Sequence, residues 1–239
     1  ISNEGILTDG VISWDSITLA PGETLSLTYE ITAPSGVEGG SVSFDGLVDN
    51  PSGEIETAGT DSVTLLDPVG VFDGSLNIGD AQSSGQAILD NEEYTVTGAG
   101  SDIWNTADDF HFTFRKIEGS FSFKASIIPV NVPHTWAKVG IMVRDNLTRE
   151  SKNYFAMIRS ETFDGRTQYR TTSGAATSNS GSTANHFGDF EIVRMGDTLQ
   201  WYYISADTEE RVLGHSMTLP MDEPVYAGLA VSNNNNSST

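Results

Sequence analysis

The chain has 239 residues, with 33 Asp and Glu against 12 Lys and Arg, a formal net charge of −21 and no cysteine. That balance argues against nucleic acid and anionic membrane surfaces as partners, because phosphate binding rests on clustered cations. The missing thiols exclude a disulfide framework, a cysteine nucleophile and a Cys-ligated zinc site. No secretory leader and no apolar run long enough to span a bilayer stands in the sequence, which opens on Ile1. The expectation is a segment of a longer exported protein, extracellular or at the cell surface, with no membrane insertion of its own.

Charge is unevenly placed. Residues 1–69 hold twelve acids and no Lys or Arg, whereas residues 70–239 hold twenty-one acids and all twelve cations. With the Pro and Gly of "LLDPVGVFDG" between them, the shift predicts a domain boundary near residue 70. Along the first part, "VISW", "TLSLTYEIT" (24–32), "GSVSFDGLV" and "TDSVTLL" read as strands. Leu25, Leu27, Tyr29 and Ile31 share one face of the second, and "APGE" and "APSG" bracket it as turns.

The run "GVISWDSITLAPGETLSLTYEITAP" resembles the immunoglobulin-like repeat modules of bacterial and archaeal surface proteins. For residues 1–69 the resemblance implies a spacer or stalk without catalysis; a generic sandwich domain is the alternative.

From Phe110 onward nine strands are expected in close succession: "FHFTFRK", "SFSFKASII", "WAKVGIMVRD", "KNYFAMIRS", "RTQYRTT", "DFEIVRM", "TLQWYYIS", "RVLGHSM" and "VYAGLAVS". Gly, Asn and Asp turns separate them, which suits a two-sheet jelly roll. The whole chain is therefore expected to be all-β, and its one candidate helical turn is "SDIWNTADDF". The order of "GAGSDIWNTADDFHFTF" (98–114), "WAKVGIMVRD" (136–145) and "YAGLAVS" (226–232) resembles the concanavalin A-like lectin/glucanase sandwiches of secreted, often polysaccharide-degrading, bacterial proteins. That resemblance spans nearly all of residues 71–239 and implies one more strand after "GLAVS", where this chain runs into "NNNNSST".

Strand alternation gives the candidate site. In "WAKVGIMVRD", Ala137, Val139, Ile141 and Val143 form a core face, leaving Trp136, Lys138, Gly140, Met142 and Arg144 on the other. If Phe110, Phe112 and Phe114 pack inward, His111, Thr113 and Arg115 face outward, and Lys124 does likewise on the next strand. Arg166, Gln168 and Arg170 share one side of "RTQYRTT". The reading collects His111, Trp136, Lys138, Arg144, Arg166 and Arg170 as a docking surface for an acidic glycan, since guanidinium forks grip anions and Trp stacks on sugar rings. The alternative is an ordinary solvated face whose cations pair with acids across strands. Trp104, Trp201 and Tyr203 are open to the same two readings.

Asp102, Asn105, Asp108 and Asp109 supply hard oxygens close together, the ligand type a structural calcium takes. They stand equally well as turn and strand-start residues. Catalysis finds little support: no E-x-D-x-E pattern, no G-x-S-x-G elbow and no metal-ligand spacing among His111, His134, His186 and His215. The resulting expectation is a non-catalytic, carbohydrate-binding module of a multidomain chain, favouring anionic polysaccharide. The rivals are an adhesive or structural surface segment that binds protein or itself, and a polysaccharide-degrading enzyme.

Overall fold

A computed structural model describes residues 6–8, 11–13, 41–43, 47–50, 53–56, 62–64, 66–128, 134–159, 165–183, 188–205 and 207–235. The chain divides into two compact units, Ile1–Glu38 and Gly39–Thr239. In the first, β1 (Ile6–Thr8) and β2 (Val11–Ser13) pair antiparallel, with Leu7 opposite Ile12. The expected long strand over 24–32 lies outside the described residues.

The second unit begins with β3 (Ser41–Ser43), β4 (Leu47–Asn50), β5 (Gly53–Glu56) and β6 (Ser62–Thr64). Here β3 pairs with β6, and β4 pairs with β5. There follow β7 (Gly74–Ile78), β8 (Gln86–Asp90), β9 (Glu93–Thr97), β10 (Asp102–Trp104), β11 (Ala107–Ile117), β12 (Phe121–Ile127) and β13 (Lys138–Arg144). The chain continues through β14 (Asn153–Arg159), β15 (Gly165–Arg170), β16 (Ser178–Thr183), β17 (Gly188–Met195), β18 (Thr198–Ile204), β19 (Arg211–Thr218) and β20 (Val225–Ser232). Each of the nine runs expected after Phe110 forms a strand, and no helix occurs among the described residues.

The expected helical turn is instead the β10–β11 hairpin, in which Asp102 faces Asp109 and Trp104 faces Ala107. Asn105, at φ 51°, takes the left-handed conformation that lets the chain reverse in two residues. Ile103 and the alternating Phe110, Phe112 and Phe114 supply strand-type periodicity that no helix could bury on one side.

Two antiparallel sheets face each other in a sandwich-like arrangement. The larger has eight strands ordered β10-β11-β20-β13-β14-β15-β16, with β7 also on β11; the smaller is β12-β17-β18-β19. Between them lies a core of Ile141, Val143, Tyr154, Ala156 and Ile158 from the large sheet against Phe190, Ile192, Leu199 and Trp201 from the small one. Trp201 fits because β19 offers Gly214 beneath it: a Cβ there would sit 2.3 Å from the indole Cε3.

The large sheet's other face is packed too. Phe110, Phe112, Phe114, Met142, Phe155, Met157 and Ala230 form a second apolar cluster, joined by Ile103 of the β10–β11 hairpin. β13 and β14 are consequently buried on both sides, as their unbroken apolar runs "VGIMV" and "YFAMI" require. Burying one such side chain contributes roughly 1.5–3 kcal/mol, so this second layer holds the hairpin firmly against the sheet.

Candidate functional site

Register decides which expected residues share a face. Arg144 stands opposite Asn153, which stands opposite Arg170, while Met157 stands opposite Arg166 and Lys138 opposite Arg159. Directly opposed side chains in antiparallel strands lie on one side of a sheet. Lys138, Arg144, Arg166 and Arg170 thus share a face of one sheet. His111 projects from the opposite face of β11, since it alternates with the phenylalanines.

The cations then separate into two groups, because Lys138 and Arg144 lie about 20 Å apart along β13. Arg144 and Arg170 are wholly buried, where outward positions were expected. Arg170 grips the buried Asp108 carboxylate in bidentate fashion at 2.6 and 2.9 Å, and Arg144 reaches it at 3.6 Å. Arg144 also donates to the carbonyls of Asn146 and Thr148 and stacks over Phe110, 5.1 Å from the ring centre. Arg170 donates further to the carbonyls of Trp104, Asn105, Ser151 and Ala175. Burial lowers Arg144 to about 10, still charged at neutral pH. Burial pushes the Asp108 carboxyl up, while Arg170 and Arg144 pull it down. These two arginines pin the β10–β11 hairpin and neighbouring loops to the sheet and are out of reach of a solvent ligand.

Lys138 belongs to the second group. It is 3% exposed, its ammonium lies 2.5 Å from Asp102 and it donates to the Ile103 carbonyl at 3.0 Å. Its charge also lies 5.3 Å from the centre of the Trp104 ring, and Arg159 lies 5.0 Å from that of Trp136. Around these pairs opens a groove of about 520 Å³, lined by Asp102, Trp104, Trp136, Lys138, Met157, Arg159, Arg166, Gln168, Asn179 and Asn234. Trp136 is half exposed, and Gln168 is 6% exposed with a side-chain oxygen that has no hydrogen-bond partner. A smaller hollow of about 300 Å³ lies at the small sheet. There Arg211 is 2.7 Å from Glu191 and covers the Tyr202 ring, 3.3 Å from its centre.

No family model matches the chain, and no curated protein does. The groove therefore has to be read from its own chemistry.

His111 is a packing residue of the opposite face. Its Nδ1 lies 2.8 Å from Asn77 Oδ1 and its Nε2 2.8 Å from Ser75 Oγ, which identifies Nδ1 as the protonated nitrogen. Gly85 and Gly98 close over the imidazole, and burial lowers it to about 4, so it is neutral at physiological pH.

The four oxygen donors considered for calcium are distributed among cations. Asp102 goes to Lys138, Asp108 to the arginine pair and Asp109 to Arg149 at 2.8 Å, while Asn105 uses its carbonyl to bind Arg170 and the Thr177 amide. Asp108 and Asp109, as strand neighbours, point to opposite faces. Among the described residues no group of three or more His, Cys, Asp or Glu converges on one point. Nor does any described helix have the length and apolarity to cross a membrane.

Arg159, Asn179 and Asn234 went unnoticed in the sequence. Arg159 was legible, because it continues the Asn153, Phe155, Met157 alternation; Asn179 and Asn234 carry no local signal.

Proposed function

We propose that this chain is a non-catalytic, carbohydrate-binding segment of an exported or cell-surface protein, and that its groove takes an acidic polysaccharide. One observation carries the reading: two tryptophans, Trp104 and Trp136, border a groove whose lining also holds Lys138, Arg159 and Arg166. Tryptophan faces stack on the C–H faces of sugars, and amides such as Gln168 and Asn179 exchange hydrogen bonds with hydroxyls. Among the described lining residues three cations stand beside one carboxylate, which in a chain of net charge −21 favours an anionic polymer at this place over the rest of the surface. Of the resemblances in the sequence, the concanavalin A-like sandwich fits a two-sheet domain with a groove on its large sheet, and the immunoglobulin-like spacer would carry it.

The absence of catalysis belongs to the same proposal. Glycoside hydrolysis needs two carboxyl groups across the scissile bond. Among the described residues the lining contains one carboxylate, Asp102, and Lys138 holds it.

The test is binding of the intact chain to neutral and acidic polysaccharides at low and high salt. Salt-sensitive binding to acidic polymers, lost in Trp136→Ala, supports the reading; equal retention of that variant on every bound polymer sinks it. A second reading, self-association or protein adhesion, has one observation in its favour: Ile88 and Leu89 are 50% and 41% exposed on the two-stranded β8–β9 sheet. A monomer at high concentration in sedimentation would remove it.

A further inference from the structure

Lys138 and Arg159 stand directly opposite each other where β13 pairs with β14, and both line the groove. Like charges in that relation destabilise a sheet, so each has to be taken up by other groups. Lys138 goes to Asp102, the Ile103 carbonyl and the Trp104 ring. Arg159 lies over the Trp136 ring, 5.0 Å from its centre. Each cation thus has an indole of its own.

Trp136 has need of such a hold. It sits in the turn that leads into β13, where its backbone amide donates to His134 Nδ1 and the Ala137 amide to the His134 carbonyl. Those bonds fix the main chain, but they leave the rotamer of a half-exposed side chain open. An indole free to change rotamer has to be ordered by its ligand, at a cost to affinity. A planar guanidinium stacked on the ring selects one rotamer before any ligand arrives. Arg159 can do this because its own strand is held between β13 and β15 in the large sheet.

We infer that Arg159 is a positioning residue of the groove: it holds Trp136 in one rotamer, with one ring face covered and the other turned to the ligand, and makes no bond to the ligand itself. This inference rests on the reading of the groove as a glycan site and assigns Arg159 a task within it. The flat guanidinium matters as much as the charge, since an ammonium does not stack on an indole in the same way.

The experiment combines fluorescence and calorimetry on the intact chain. Anisotropy and acrylamide quenching of Trp136 are read as the difference between each protein and its Trp136→Phe counterpart, which subtracts the other tryptophans. In Arg159→Met, Trp136 should show lower anisotropy and readier quenching than in wild type, with Arg159→Lys between the two. Titration with oligogalacturonate and with dextran sulfate should show Arg159→Met binding about two- to ten-fold more weakly, the range set by ordering one side chain on binding. Arg159→Lys should again fall between. Unchanged Trp136 emission in Arg159→Met overturns the inference, as does changed emission with undiminished affinity; either leaves the groove as a glycan site. An Arg159→Lys protein that binds as wild type while its Trp136 emission stays that of Arg159→Met also overturns it, and makes Arg159 a direct partner of the ligand's charge. A wild type that binds neither probe removes the glycan reading, and the emission alone then decides whether Arg159 holds the ring.

Discussion

Asp108→Asn is the most informative single change. The substitution keeps the shape of a side chain that is fully buried, and removes the only carboxylate within reach of two fully buried guanidiniums among the described residues. Arg170 would keep one oxygen to bond, but the amide nitrogen that replaces the other would face the Arg170 and Asn153 donors, now at 2.9 and 3.1 Å from that oxygen. Breaking a buried ion pair from one side costs roughly 3–5 kcal/mol, because the partner charge is left uncompensated. Here two charges are left, so the upper part of that range applies. Against a total stability of roughly 5–15 kcal/mol the loss is large. At about 2–4 °C per kcal/mol for a domain of this size, a loss of about 4–5 kcal/mol should lower the midpoint by roughly 8–20 °C. Urea unfolding followed by fluorescence of the buried Trp201 measures it, with an unchanged slope expected. In a double-mutant cycle, Arg170→Met added to Asp108→Asn should cost less than the separate changes together. An Asp108→Asn midpoint within about 1 kcal/mol of wild type, or strict additivity in the cycle, would falsify the account of this cluster as a buried charge lock.

Three further outcomes are expected. His111 binds its proton less readily when folded than the free side chain does, with a value of about 4 against 6.5. Its contribution is complete above pH 6.5 and declines as the pH falls through 4, by about 3 kcal/mol in all. Urea midpoints should therefore drop less steeply between pH 6.5 and 4 in His111→Gln than in wild type; parallel curves refute it. Gly214→Ala places a Cβ 2.3 Å from the Trp201 ring and should cost about 1–3 kcal/mol, read as a lower urea midpoint with altered near-ultraviolet dichroism. Because the carboxylates of the β10–β11 hairpin are held by lysine and arginine, adding millimolar calcium or a chelator should leave the melting temperature in place. A calcium-dependent rise of several degrees would show a site that the ion pairs do not suggest.

Alternation in the sequence was enough to bring Lys138, Arg144, Arg166 and Arg170 to one face, but not to say which are wet. The period of two reports sides of a strand; it is silent on what covers them. The clue to cover lay elsewhere, in "VGIMV" and "YFAMI", whose apolar residues fill both sides of their strands and so demand a second layer. Once the β10–β11 hairpin supplies that layer, Arg144 and Arg170 fall beneath it and Lys138, Arg159 and Arg166 line its margin. His111 faces away from the cations because β11 pairs with β20 in a register that sets it beside Val231, on the side of the sheet away from Phe110, Phe112 and Phe114. "SDIWNTADDF" looked helical because its polar residues hide a tight two-residue reversal at Asn105. The Gln168 oxygen could not be read from any pattern, since a missing partner exists only in three dimensions.

The bonds from Arg170 to the carbonyls of Trp104 and Asn105 tie one wall of the groove to the fully buried Asp108 carboxylate. That wall cannot swing open by a local fluctuation without unpairing Asp108. Its amides should exchange with solvent as slowly as those of β13 and β14, in step with global unfolding. A ligand entering such a groove meets a surface already in its bound shape and spends little of its binding energy on ordering the protein. The groove wall and fold stability are then mechanically one unit here: sequence changes far below the groove would be felt as changes in how firmly its wall is held.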